Sequence, residues 1–515
     1  MVKFMNKVCL VILDGVGYSK EKNGNAVHLA KMPNYKKLTH KNSILLSASG
    51  KAVGLPSDEI AGNSEVGHNT LGAGKIYKQG LSVVDSSIKT GKIFQTEIWK
   101  KLINNAKNRA IHFIGLLSDA FVHGNINHLK KLILQCKKEK IKKVYIHALL
   151  DGRDVSPQSA LKYLKDISKF LAKTDKNYKL VDFAGRGTLV MDRYEANTNL
   201  VSKAFDVYIN KNAKLSTDFE KTIKEIYKQN PNITDENIEP FILDKKIKIE
   251  NGDSVVLYNF RGDRALEFSQ MFDSGEYISG GDFAKIKDCI FSGMMQYDGD
   301  LKIPKNFLVA PPQIRNTLTE YLIKNNIKQY AVTETQKFGH ITYYFNGNRK
   351  EKLSKSLETY EEIKSDKGIT FDLKPEMKAE EITKGLCQAF KQNYIFYKTN
   401  FANGDMVGHT GNLKATIKGL EAVDKCLGEI LKCAKQNNVS LIILADHGNC
   451  EKMINSDGSR NTSHTNNKVW CTVVSSTKQK FKLKKGNFGL SNIAATVCKM
   501  IGIEPQRNFD KSILK

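Results

Sequence analysis

No stretch of about 18 consecutive apolar residues occurs, which excludes a membrane-spanning helix. The first apolar run, Val8 to Leu13, is too short for the core of a signal peptide and ends on Asp14. Nine cysteines are scattered without a CxxC pair, and the number is odd, so neither a disulfide framework nor a thiolate zinc site is expected. The cysteines read as reduced thiols in a cytoplasm. Arginine is scarce, with ten among 80 basic residues. The net charge of +26 is mostly lysine spread along the whole chain, and no block of five or six consecutive basic residues occurs. That pattern describes solvated faces rather than a nucleic-acid surface. It still creates a field that draws small anions. No GxxxxGK[ST] loop is present, and Asp14-Gly15-Val16-Gly17 lacks the third glycine of a dinucleotide fingerprint. A nucleotide substrate is therefore not favoured. Internal repeats and low-complexity tracts are also missing.

What remains is a 515-residue chain with 41% hydrophobic and 26% charged residues, long enough for two or three globular domains. Short apolar runs alternate with helical patterns, which predicts βαβ units and parallel sheets. Three runs lead into chemistry. Val8 to Leu13 meets Asp14-Gly15. Ser440 to Leu444 meets Ala445-Asp446-His447-Gly448. Tyr394 to Tyr397 leads to Asp405 and His409. Between the last two, Leu413, Ile417, Leu420, Val423, Leu427 and Leu431 keep the spacing of a helix of about 25 residues. Ligands of open α/β sheets bind beyond the carboxyl ends of strands, where these Asp and His residues fall. His464 joins them from a following loop.

Asp14, Asp405, Asp446, His409, His447 and His464 form a mixed oxygen and nitrogen set. With Ser64 it is enough for two divalent cations. Such a set suits Mn²⁺ or Zn²⁺, and the absence of cysteine leans towards Mn²⁺. Ser64 lies in GNSEVGHNTLGAG (62–74), a stretch crowded with small residues. A surface turn is one reading of it. A nucleophile loop is the other: a hydroxyl beside two cations is a good phosphoryl acceptor, and small neighbours leave room for a tetrahedral phosphate.

The middle of the chain repeats the grammar. Ile111 to Leu117 ends near His123, Lys143 to Leu150 at Asp151-Gly152-Arg153-Asp154, and Leu180 to Ala184 at Arg186, with Arg193 nearby. Ser254 to Asn259 ends at Arg261 and Arg264, and Cys289 to Met295 at Gln296-Tyr297-Asp298. Five of the ten arginines thus fall in one segment. In a chain that otherwise uses lysine, they predict a site that needs the planar, bidentate fork for carboxylate or phosphate. The metal-type residues lie at both ends of the chain and the arginines between them, so one α/β domain is expected inside another. The crossings are placed near Tyr77-Lys78-Gln79 and at the single Pro-Pro pair, Pro311-Pro312. This assigns 1–76 with 311–515 to a metal-binding, phosphatase-like domain carrying the nucleophile, and 77–310 to the inserted domain.

The ordered motifs LVILDGVG (10–17), GNSEVGH (62–68), DGRD (151–154), NFRGDRA (259–265), QYD (296–298), ETQKFGH (334–340), NFANGDMVGHTG (400–411), ADHGN (445–449) and TSHTNN (462–467) carry a resemblance almost end to end. The chain resembles the 2,3-bisphosphoglycerate-independent phosphoglycerate mutases, members of the alkaline phosphatase superfamily. The resemblance implies two doubly wound α/β domains, an alkaline-phosphatase-like core with an inserted phosphoglycerate-binding domain. It implies interconversion of 3-phosphoglycerate and 2-phosphoglycerate in glycolysis and gluconeogenesis, through a phosphoserine at Ser64. One Mn²⁺ would take Asp405, His409 and His464, and the other Asp14, Ser64, Asp446 and His447, with Zn²⁺ or Co²⁺ as alternative occupants. His123, Arg153, Asp154, Arg186, Arg193, Arg261, Arg264 and Lys337 would bind phosphoglycerate. Lys337 would stabilise the transferring group, and Asp154 or His123 would shuttle a proton. The chain departs from the family around 187–199, where GTLV replaces a segment usually carrying aromatics. A monomer in the cytoplasm, with no nucleic-acid or membrane partner, completes the expectation. The rivals are a metal-dependent phosphatase or phosphopentomutase of the same superfamily, and, from another class, a basic nucleic-acid-binding protein.

Overall fold

A computed structural model describes residues 5–191, 199–274, 288–297, 302–310, 312, 314–349, 351–366, 369–477 and 479–515. The chain separates into two compact units, Met1–Gln79 with Gln313–Lys515, and Gly80–Pro312. The expected crossings fall within a few residues of these divisions. Arg193, Asp298 and most of the atypical 187–199 segment lie outside the described residues.

The first unit is built on an eight-stranded sheet. From edge to edge its strands are Glu358–Ile363, Gln329–Glu334, Phe396–Phe401, Lys7–Leu13, Val439–Leu444, Val469–Val474, Ser43–Ser47 and Phe488–Gly489. The five from Glu358–Ile363 to Val439–Leu444 are parallel. Val469–Val474 runs antiparallel to both neighbours. The central strand Lys7–Leu13 is buried from Val8 onward, as parallel strands covered on both faces require. It pairs Leu13 with Phe401 and Ile12 with Leu444, so Asp14, Asp446 and the chain after Phe401 emerge at one height on one sheet edge.

Phe396–Phe401 extends beyond the expected Tyr394 to Tyr397. An apolar reading stops at Lys398, yet Lys398, Thr399 and Asn400 are all buried strand residues. Thr399 Oγ1 donates to the Val332 carbonyl at 2.8 Å, and Lys398 Nζ sits 4.2 Å above the centre of the Phe345 ring. Side-chain hydrogen bonds and ring contacts carry these polar groups into the core. The expected long helix is Leu413–Gln436, capped by Asn412, whose side chain accepts from the Ala415 N–H.

The second unit has its own eight-stranded sheet, in the order Phe307–Val309, Ile290–Met295, Ser254–Leu257, Ile111–Leu116, Val144–Leu150, Tyr178–Gly185, Phe241–Ile242 and Lys214–Leu215. All neighbours are parallel except Tyr178–Gly185 with Phe241–Ile242. The register Leu116–Leu149–Ala184 brings the chain after three adjacent strands to one edge. That edge carries His123, Asp151 and Arg186.

Candidate active site

Ser64 opens the helix Ser64–Ala73, capped by Asn63, whose side chain accepts from the Val66 N–H at 3.1 Å. The stretch read as a loop is therefore helical, and its glycines serve close packing. A Cβ on Gly67 would lie 2.8 Å from Asp446 Cβ, and one on Gly72 would lie 1.9 Å from the Phe345 carbonyl oxygen. Glycine lets the helix press against the Asp446 loop and hold Ser64 beside it. The positive end of the helix dipole at this first turn favours negative charge at the hydroxyl.

Around Ser64 the first unit gathers every residue expected to hold metal. Ser64 Oγ donates to Asp14 Oδ1 at 3.2 Å, lies 3.0 Å from His447 Nε2, and accepts from Lys337 Nζ at 2.6 Å. Lys337 follows the strand Gln329–Glu334 and is buried. Its ammonium also donates to Asp14 Oδ1 at 2.9 Å and Asp405 Oδ2 at 2.7 Å. Next to this group, Asp405 Oδ1 lies 3.1 Å from both His409 Nε2 and His464 Nε2, and the two ring nitrogens are 2.9 Å apart. His447 Nε2 lies 3.3 Å from Asp14 Oδ1 and 3.6 Å from Asp446 Oδ2.

The donor set fits divalent cations. His409 Nδ1 faces the Thr462 carbonyl at 2.7 Å, and His447 Nδ1 faces the Gly448 carbonyl at 3.3 Å. Each ring thus uses its Nδ1 hydrogen on the backbone and turns Nε2 to the centre, where a cation would displace any proton on it, the arrangement of metal-binding imidazoles. Among the described residues three groups of three bring their ligand atoms within 4.8 Å of one another: Asp405, His409 and His464; Asp14, Asp405 and His447; and Asp14, His68 and Asp446. Three buried carboxylates face one buried ammonium, so the site calls for more positive charge. Burial opposes charge on His447, yet Asp446, Asp14 and Asp405 outweigh it and raise its pKa to about 9. Burial and the neighbouring His447 push His464 down to about 4. Burial likewise works against the charges on Asp14 and Lys337. Lys337 nonetheless holds Asp14 well below the usual carboxylate range, and Asp14 and Asp405 raise Lys337 in return. Lys337 therefore stays an ammonium at neutral pH.

Three participants escaped sequence reading. Asn400 Nδ2 donates to Asp14 Oδ2 at 2.7 Å, and His68 Nδ1 lies 3.3 Å from Asp446 Oδ2. Glu451 accepts from the Gly17 and Asn449 N–H groups at 3.0 and 2.8 Å and from Asn467 Nδ2 at 2.9 Å, tying three loops of the site together. Asn400 and His68 lie inside the motifs NFANGDMVGHTG and GNSEVGH without a role assigned to them, and Glu451 stands two residues beyond ADHGN. No spacing rule points to them, because their partners come from distant strands.

The second unit places its expected residues at the carboxyl edge of its own sheet. Buried Arg186 donates from Nη1 to Asp151 Oδ1 at 2.8 Å and also to Asp154 Oδ2. Arg153 Nη1 lies 3.9 Å from Glu236 Oε2. Arg264 Nη1 donates to the Met191 carbonyl at 3.1 Å, and the His123 carbonyl accepts from the Phe260 N–H at 2.7 Å. Arg261 and His123 are buried. Asp151, which carried no expected role, fixes Arg186 together with Asp154.

The family model of the Metalloenzyme superfamily matches residues 6–505. A probable 2,3-bisphosphoglycerate-independent phosphoglycerate mutase of Leptospira interrogans is 42% identical, with 99% of this chain and 97% of that protein covered. The 2,3-bisphosphoglycerate-independent phosphoglycerate mutase of Trypanosoma brucei brucei is 37% identical over the same shares. A crystal structure of Leishmania mexicana phosphoglycerate mutase at low cobalt concentration superposes with a TM-score of 0.95 at 36% identity, covering 99% of this chain and 98% of that one. The ligand geometry and these likenesses agree on a divalent-metal enzyme. The chain belongs to the 2,3-bisphosphoglycerate-independent phosphoglycerate mutases of the metalloenzyme superfamily.

Proposed function

We propose that the chain interconverts 3-phosphoglycerate and 2-phosphoglycerate in glycolysis and gluconeogenesis, through a phosphoserine at Ser64. The observation that carries this reading is the position of Ser64 Oγ, within 3.2 Å of Lys337, His447 and Asp14 at a helix N-terminus. Two divalent cations per chain are assigned, Mn²⁺ ahead of Zn²⁺ or Co²⁺: one at Asp405, His409 and His464, the other at Asp14, Ser64, Asp446 and His447. When bound, they supply Lewis-acid stabilisation of the serine oxygen and of the phosphoryl charge.

Ser64 Oγ attacks phosphorus in line, the bond from phosphorus to O3 of glycerate breaks, and O3 leaves with a proton. Glycerate turns, its O2 attacks the phosphoserine, and the bond to Oγ breaks as Ser64 regains its proton. Lys337, held as an ammonium, donates to the transferring group, where negative charge develops. In the second unit, Arg153, Arg186, Arg193, Arg261 and Arg264 are assigned to the carboxylate and phosphate, and Asp154 or His123 to the proton passed between O3 and O2. Asp151 and Asp154 fix the fork of Arg186, which supports a preorganised anion site. The enzyme is placed in the cytoplasm as a monomer; all nine cysteines are free thiols, which fits a reducing compartment.

The test is conversion of 3-phosphoglycerate by Mn²⁺-loaded protein without added bisphosphoglycerate. Product is expected, and Ser64→Ala should lower turnover by several orders of magnitude. Denaturation during turnover of labelled substrate should leave label on the Ser64 peptide. Label on a histidine would overturn the reading.

A further inference from the structure

Asn400 and His68 are fully buried, and neither has a place in the chemistry above. Asn400 Nδ2 donates to Asp14 Oδ2 at 2.7 Å and lies 3.1 Å from His68 Nε2. His68 Nδ1 lies 2.7 Å from the Ser64 carbonyl oxygen and 3.3 Å from Asp446 Oδ2. Only one arrangement of hydrogens satisfies the three hydrogen bonds, to Asp14, between Asn400 and His68, and to the Ser64 carbonyl, while Asp446 Oδ2 stands beside the His68 ring without accepting from it. The opposite amide orientation would set the Asn400 carbonyl against the Asp14 carboxylate, so the –NH₂ group must face Asp14. Its second hydrogen then meets His68 Nε2, which must be the unprotonated nitrogen. The His68 ring hydrogen is thereby fixed on Nδ1, aimed at the Ser64 carbonyl. The strand holds the head of this chain in place, since the backbone carbonyl of Asn400 accepts from Thr333 Oγ1 at 2.7 Å.

We propose that Asn400 and His68 form a positioning relay. It sets the Asp14 carboxylate, locks the first turn of the Ser64 helix to it, and holds the His68 ring 3.3 Å from Asp446 Oδ2. The inference rests on the reading of Ser64 and its neighbours as the phosphoryl-transfer site. Neither residue touches the reacting atoms. Asn400 acts by fixing the direction of an Asp14 lone pair, as hydrogen-bond partners of metal ligands do, and His68 acts by holding Asn400 and the Ser64 carbonyl in register.

The test uses the full chain, stripped of metal and titrated with Mn²⁺ alone. Asn400→Leu and His68→Ala should each weaken Mn²⁺ binding by about 10- to 100-fold. The double variant should be no weaker than the worse single one, because either change breaks the same relay. His68→Asn keeps a donor near the Nδ1 position and should recover a large part of the affinity lost in His68→Ala. At saturating Mn²⁺ the variants should show lowered kcat with KM nearly unchanged. Nitrogen NMR of the metal-free wild type should show His68 as the Nδ1–H tautomer, and Asn400→Leu should lose that single tautomer. Unchanged Mn²⁺ affinity, additive single effects, or an Nε2–H tautomer in the wild type would each overturn the relay. Metal affinity and tautomer are read without substrate. A wild type that binds Mn²⁺ as described but fails to form 2-phosphoglycerate would defeat the proposed function and leave the relay standing.

Discussion

Lys337 carries two opposing duties in the site. Its ammonium offsets the buried charges of Asp14 and Asp405, and it hydrogen-bonds the hydroxyl that is to be phosphorylated. The same positive charge works against cations that would bind to those carboxylates. Lys337→Met keeps a similar length and removes the charge. Metal binding and catalysis should then move in opposite directions. Mn²⁺ affinity should rise, since the carboxylates lose their internal counter-ion. Turnover should fall by about 10²- to 10³-fold, since a donor to the transferring group is gone. Titration of the metal-free variant and steady-state assay at saturating Mn²⁺ separate the two effects. If affinity and turnover both fall together, Lys337 is a structural counter-ion and its catalytic role is wrong.

Strands in the second unit carry a device unrelated to the site. His112 Nε2 lies 3.2 Å from Asp253 Oδ2, and His147 Nδ1 lies 2.7 Å from Asp182 Oδ2. His112 Nδ1 and His147 Nε2 then face each other at 2.9 Å, with Lys211 Nζ donating to Asp182 Oδ2 at 3.0 Å. Each histidine gives one hydrogen to its own aspartate, so a single further proton between the rings completes the pair, and a second has no room. Burial and the charge of His147 accordingly push His112 down to about 4. In the unfolded chain it titrates near its ordinary value of about 6.5. A folded-state pKa below the unfolded one means that stability is full above about 6.5 and is lost as pH falls towards 4. Between pH 7 and 5 this group alone should remove about 2 kcal/mol. Hydrogen exchange in Ile111–Leu116 and Val144–Leu150 should accelerate over that interval in the wild type, and less in His112→Gln. Equal acceleration in both would refute the assignment. Nothing in the sequence announces this network, because the four residues share a sheet face only through pairing of separate strands. Runs such as Val8 to Leu13 were legible because burial on both faces demands continuous apolar residues. Asn400 and Lys398 were not, because their burial depends on partners that arrive from elsewhere in the chain. Asp14, Asp405 and Asp446 could be read because the ends of parallel strands are where such folds place ligands.

At the scale of the whole molecule, the chain is two units, each with a largely parallel sheet whose carboxyl edge carries charged side chains. Asp14, Ser64, Lys337, Asp405, His409, Asp446, His447 and His464 belong to the first, and His123, Arg153, Asp154, Arg186, Arg261 and Arg264 to the second. This separation motivates the proposal of a division of labour, in which the first unit would set the metals and the phosphoserine and the second would hold glycerate while the phosphoryl group waits. Arg261→Lys tests it. No metal ligand is changed, so Mn²⁺ content should equal that of the wild type. An ammonium cannot reproduce the bidentate grip of a guanidinium on a carboxylate, so glycerate should escape before it turns. The stranded phosphoserine then meets water. Free phosphate and glycerate should rise relative to 2-phosphoglycerate, and that ratio is measured directly on 3-phosphoglycerate. A full mutase rate with an unchanged ratio would show that Arg261 does not retain the intermediate. A loss of Mn²⁺ would show that the two units do not divide the work in this way.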